Sequence, residues 1–214
     1  MDKGVVKVND IDINEEPYEY KRLIGYVPET VSLPEYLTVE EFLIYSGKIR
    51  EVPNEQIRER MNYFIRLFEL EEKRKSLIIS LSRGMRQKIA IASALIHDPD
   101  LLILDEPFIG IDPMGQHTLK DLFNERIKDG KTIFVSTHML DTAERLCNRV
   151  AIIHRGQNVA SGDLKNLQQL SKSGENATLE EVFLKLTEET EGQVAERKEE
   201  RKKGFFNLLR RRRL

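Results

Sequence analysis

The 214 residues hold 34 basic and 36 acidic side chains, a formal net charge of -2, and 40% of them are hydrophobic. That is enough apolar chain to bury one sizeable core, and so balanced a charge gives no general pull toward nucleic acid. The single cysteine, Cys147, rules out an internal disulfide framework, and no apolar run approaches the ~18 residues of a membrane span.

In chain order, Gly4–Val8 and Lys21–Val27 read as strands, the second stopped by Pro28. Glu29, just beyond, is on its own a solvated loop acid. Thr38-Val39-Glu40-Glu41 is a capping box that opens a helix. After Val52-Pro53, Asn54 is expected to cap a second helix whose Ile57, Met61, Phe64, Ile65 and Phe68 form one core-facing stripe.

The densest information lies between Ser80 and Pro113. Ser82 and Gly84 open a helix expected from Arg83 to about His97. A helix start leaves backbone N–H groups unpaired and carries partial positive charge, which suits a phosphate. Leu101–Leu104 is too short an apolar run for a helix and reads as a buried strand ending in two acids, Asp105 and Glu106. Carboxylates at the C-terminal end of a parallel strand stand where open α/β sheets bind ligands. Gly110-Ile111-Asp112-Pro113 is a tight turn into another helix, with Asp112 as N-cap and Pro113 at the first position.

Thr132–Ser136 reads as a strand, with His138 just past its end. Gly130-Lys131-Thr132 has the ending of a phosphate-binding loop, but it follows a helix and precedes a strand. It therefore reads as a helix stop, with Gly130 left-handed. Cys147 is expected near a helix end as a small buried residue. Arg149–His154 and Asn158–Ala160 form a hairpin turning at Arg155-Gly156. Thr178-Leu179-Glu180-Glu181 is a second capping box. Residues 188–214 are a charged tail, ending in a basic amphipathic stretch with Phe205, Leu208 and Leu209 among arginines. No pair of histidines has metal-ligand spacing.

Four of these patterns, in this order, resemble the ABC-type ATPases. LSRGMRQK resembles their signature motif, LLILDEP their Walker B strand, GIDP their D-loop, and His138 in FVSTHML their switch histidine. GYVPE resembles an exporter-branch variant of the Q-loop, with Glu29 where a glutamine is usual. The resemblance covers roughly Gly4 to Thr187. It implies an α/β, P-loop NTPase-like domain over residues 1–187, an incomplete parallel or mixed sheet flanked by helices, with a helical subdomain at about 38–97.

The implied roles follow residue by residue. Glu106 and His138 would be catalytic, with Glu106 polarising the attacking water. Asp105 and Glu29 would attend Mg²⁺, and Ser82, Gly84, Asp112 and Glu29 would face ATP. Arg83 replaces the commoner glycine of the signature, either as a branch variant or as a solvent-facing arginine. The family's phosphate loop, G-x-x-x-x-G-K-[ST], is expected before Gly4 and does not occur in the sequence, so the domain is expected to be truncated at its N-terminus.

The resemblance implies an ATP-hydrolysing subunit that powers export through a separate membrane-spanning permease. It would pair head to tail with a second ATP-binding subunit and sit on the cytoplasmic face of the membrane. The alternative is a non-enzymatic half that lends its signature face to a full-length subunit. The tail adds an expected contact with an anionic membrane surface, against the alternative of a solvated appendage; no nucleic-acid partner is expected. Each basic residue near an anionic leaflet contributes ~1 kcal/mol. The intact chain should therefore co-sediment with anionic vesicles, while a version ending at Glu188 should not. Equal, weak binding by both would remove this role.

Overall fold

The fold is a computed structural model that describes residues 4–174 and 176–188, and the basic tail lies outside them. It divides into two units, 1–138 and 139–214.

The first unit is built on three parallel strands: β3 (Ile24–Val27), β4 (Leu101–Asp105) and β5 (Thr132–Ser136), in the order β3-β4-β5. Gly25, Val27, Leu102 and Leu104 point to the covered face and are buried. Helix α4 (Arg83–Leu95) comes so close to β3 that a Cβ on Gly25 would lie 2.3 Å from the Ala94 carbonyl oxygen. The opposite face is only partly covered among the described residues. Its register sets Tyr26, Ile103 and Phe134 in one row across the three strands, and Tyr26 and Phe134 are 57% and 60% exposed.

The β3-to-β4 crossover carries the helical subdomain. Thr38 caps α2 (Val39–Ile49) in a complete capping box. Helix α3 spans Asn54–Leu67 and buries Ile57, Met61, Phe64 and Ile65, with Phe68 just after it. Asn54 is its first helical residue and not its cap. Pro53 occupies the cap position, with no side-chain hydrogen bond, because its fixed φ already sets the chain for the helix. Helix α5 (Pro113–Lys128) makes the β4-to-β5 crossover.

Two expected strands differ. Before β3, Lys21 and Arg22 end a short helix, α1 (Pro17–Arg22), which Pro17 starts and a basic last turn closes. Within 4–8 only Lys7–Val8 (β1) pairs, with Ile11–Asp12 (β2), across a turn at Asn9 and Asp10 with φ of 49° and 65°. Gly130 ends α5 at φ +79°. Its neighbour Lys131 is ion-paired to Asp100 at 2.7 Å, so this segment is a helix stop and not a phosphate loop.

In the second unit, α6 (Leu140–Leu146) precedes a hairpin of β6 (Val150–His154) and β7 (Gln157–Gly162), which turns at Arg155 and Gly156 with φ of 50° and 75°. Helix α7 (Leu164–Ser171) and a helix over residues 179–188 (α8) complete it. Leu167, Leu179, Val182 and Ile152 form its core, with Cys147 packed against it. Thr178 and Glu181 make both arms of the second capping box.

His97, just past α4, ties the helix end to the sheet: its Nε2 donates to the Ile24 carbonyl at 3.0 Å. Burial, with Arg50 close by, pushes its pKa down to about 4. The unfolded chain, titrating near 6.5, then binds the proton first, so stability is flat above pH 6.5 and falls between pH 6.5 and 4. Against His97→Gln, the wild type should lose about 2 kcal/mol more on acidification from pH 7 to 4, after allowing for solvent screening. Parallel denaturation curves at the two pH values check this.

Candidate active site

The strand ends assemble the acids. Asp105 faces Ser136 across the β4–β5 ladder, and the Ser136 hydroxyl donates to Asp105 Oδ1. The ladder runs one step further, with Glu106 N donating to Ser136 O at 2.9 Å. Glu106 then turns left-handed, at φ +47°. That conformation is costly for a side chain bearing a Cβ and is held only where its surroundings demand it.

Three donors supply the demand. Thr137 Oγ1 donates to Glu106 Oε2 at 3.1 Å, while His138 N and Nδ1 both reach Oε1 at 2.8 Å. The Glu106 side chain is 15% exposed and that of His138 is 73%, so the acid is screened and the imidazole faces outward. Only an acceptor oxygen faces Nδ1, so that nitrogen carries the hydrogen. Oε1 is fully used by two donors. Oε2 accepts one and keeps a free lone pair, the place where Glu106 can take a hydrogen from a water.

Glu29 follows β3 by two residues, and Val27 pairs with Leu104, so it lies at this same end of the sheet. It is exposed and makes no hydrogen bond or ion pair among the described residues. Asp105 and Ser136 offer hard oxygens of the kind Mg²⁺ takes when water and phosphate complete its shell. Among the described residues no group of three or more His, Cys, Asp or Glu converges. The fit is to such a sparse site and not to an all-protein cage.

A second group forms around the start of α4. Ser82 caps it, its hydroxyl accepting from Met85 N at 3.2 Å. As the first two helical residues, Arg83 and Gly84 have amides with no partner within the helix. Asp112 caps α5 by accepting from Gly115 N at 2.8 Å, with Pro113 at the first helical position. The Gly115 amide, helped by Lys88, holds the Asp112 carboxyl below its ordinary range. Among the described residues no hydrogen bond or ion pair joins Ser82 or Gly84 to Glu106 or His138. Ser136, Thr137 and Lys88 escape the sequence reading, since nothing in their spacing marks them as partners of Asp105, Glu106 and Asp112.

Acids at the carboxyl ends of a parallel sheet, together with a helix start open to an anion, define a class: an α/β nucleotide-handling domain. Comparison narrows it. The family described as ABC transporter matches residues 1–109. The ABC-type transporter ATP-binding protein EcsA of Bacillus subtilis (strain 168) is 35% identical over 190 residues, covering 89% of this chain and 76% of EcsA. The Nod factor export ATP-binding protein I of Ralstonia nicotianae is 34% identical over 161 residues, 75% of this chain and about half of that protein. A solved ATP-binding subunit of an ABC transporter superposes with a TM-score of 0.82 at 35% identity, covering 87% of this chain and 77% of that one. The chain belongs to the ABC transporter family, as an ATP-binding domain. Among the described residues no helix is long and apolar enough to cross a membrane.

The clasp on Glu106 makes a spectroscopic prediction. In the wild type the neutral His138 ring should be the Nδ1–H tautomer, and Glu106→Ala should return it to the Nε2–H form favoured in water. Long-range ¹⁵N–¹H spectra read the change. A ring already in the Nε2–H form in the wild type would contradict the geometry.

Proposed function

We propose that this chain is the ATP-binding and ATP-hydrolysing subunit of an exporter, working as a head-to-tail pair beneath a membrane-spanning partner. The observation that carries the reading is the Glu106 carboxylate, held by Thr137 and His138 beside Asp105 at one strand end. Phosphoryl transfer needs little covalent help and much positioning. Glu106 Oε2 orients the attacking water, and the outward His138 ring holds Glu106 in place while facing the phosphate. Ser82 and Gly84, at the open start of α4, face the terminal phosphate of ATP held by the second subunit. Asp105, with Glu29 at the same end of the sheet, would hold Mg²⁺, which would supply neutralising charge. The lean to export rests on the name of the Nod factor relative and on the GYVPE resemblance.

The triphosphate also needs a phosphate loop, and no G-x-x-x-x-G-K-[ST] occurs in the 214 residues. A strand–helix unit bearing that loop would fit the free edge of β5 and cover the partly exposed Tyr26–Ile103–Phe134 row. A parallel sheet is ordinarily buried on both faces, which supports this completion.

The 214-residue chain should bind MgATP weakly and turn it over negligibly. With a phosphate-loop segment joined, Glu106→Gln and His138→Ala should keep ATP binding and lower turnover by ~10²–10⁴-fold. Ser82→Arg should bind ATP as a monomer but fail to dimerise with it. Labelled-nucleotide titration, phosphate release and gel filtration read these outcomes. Micromolar affinity and Mg²⁺-dependent turnover by the chain as it stands would overturn the first expectation. Unchanged turnover in His138→Ala would overturn the assigned chemistry, and normal dimers of Ser82→Arg the assignment across subunits.

A further inference from the structure

The start of α4 and the turn before α5 meet with no space between their backbones. A Cβ on Gly84 would lie 2.6 Å from the Gly110 carbonyl oxygen. Gly110 has φ +77°, and a Cβ there would meet the Arg83 side chain at 3.2 Å. Both positions demand glycine, one for room and the other also for its left-handed backbone.

One turn further along α4, Lys88 Nζ reaches Asp112 Oδ2 at 3.3 Å. The lysine stem crosses Gly115, where a Cβ would come 2.7 Å from Lys88 Cε. The Lys88 side chain is 14% exposed and that of Asp112 60%. An ammonium so far from water must be paired, and removing its partner alone is costly. The turn is stiff in itself: Gln116 Nε2 donates to the carbonyls of Phe108 at 3.3 Å and Ile111 at 3.1 Å. A rigid turn thus touches a helix start at a backbone contact and at one charged pair.

We propose that Lys88, from the second turn of α4, is a positioning residue that ties the Gly110–Asp112 turn to this helix beside its start, so that whatever binds the helix start restrains the turn as well. Its functional meaning rests on the reading that Ser82 and Gly84 face a phosphate. The tie itself does not.

Amide hydrogen exchange by NMR on the intact chain tests the tie. Met85 N bonds to Ser82 Oγ, and Gly115 N to Asp112 Oδ1, so these amides report on the two ends. Asp112→Asn keeps an N-cap but removes the charge, and Lys88→Met keeps the apolar stem but removes the ammonium. Asp112→Asn should speed exchange at Met85 by ~10-fold or more, because it strands a buried ammonium. In a Lys88→Met background the same change should add less than ~2-fold, and Lys88→Arg should restore the cross-talk. Equal effects of Asp112→Asn in both backgrounds, or an effect confined to Gly115, would overturn the proposal.

A second measurement covers variants that fold poorly. The Asp112 carboxyl, followed by ¹³C shift against pH, should titrate higher in Lys88→Met and stay low in Lys88→Arg; identical titrations in all three proteins would overturn the tie. If cross-talk is present while Ser82→Arg leaves ATP-driven dimers intact, the reading across subunits fails and the tie stands.

Discussion

Asp105, Glu106 and His138 take their places from the register of β4 on β5. Leu101 pairs with Thr132, and the ladder arrives at Asp105 opposite Ser136. A slip of one residue would turn Leu104 outward and bury Asp105, since side chains alternate faces along a strand. The buried pair Leu102 and Leu104 forbids that slip. At the end of the ladder, Glu106 leaves the strand in a left-handed turn that costs ~1–3 kcal/mol. Three hydrogen bonds to its carboxylate, each worth ~1.5–3 kcal/mol when the acceptor is charged, outweigh that strain. The same register that makes the core thus places the acid and the imidazole together.

Much of this was legible because the signals were local. Ser82 and Asp112 announce themselves as caps, Pro113 and Gly130 as a start and a stop, and Leu101–Leu104 as a short apolar run between turn residues. Asp105, Glu106 and His138 were placed by where their strands end. The start of β3 was misread because Lys21 and Arg22 precede an apolar stretch without belonging to it, while Pro17 starts a helix that a strand pattern does not show. Nothing local reveals Thr137 as a clasp on Glu106. That contact joins residues 31 apart and exists only once β5 lies beside β4. The meeting of Gly84 with Gly110 is hidden for the same reason.

Among the described residues the two faces of the sheet are covered unequally. Helix α4 lies so close over β3 that Gly25 has no room for a side chain, whereas across the strands Phe134 and Tyr26 stand in water. Burying an aromatic side chain is worth ~1.5–3 kcal/mol, so the exposed row is a cost that an apolar helix would relieve. Among the described residues β5 pairs only with β4, so its other edge has no strand partner. Both features sit beside Ser136 and His138.

The three hydrogen bonds to Glu106 decide which of its atoms can do chemistry. A carboxylate has about four lone-pair sites. Oε1 spends both of its own on His138, backbone and ring, so it is a structural oxygen. Oε2 spends one on Thr137 and has one left. The free position is the one place on the carboxylate open to a further donor, while the other contacts hold the group fixed. His138 commits its Nδ1 to Glu106, which leaves Nε2 on the far side of the ring. Loss of the imidazole would therefore remove one of the three hydrogen bonds that hold the Glu106 carboxylate.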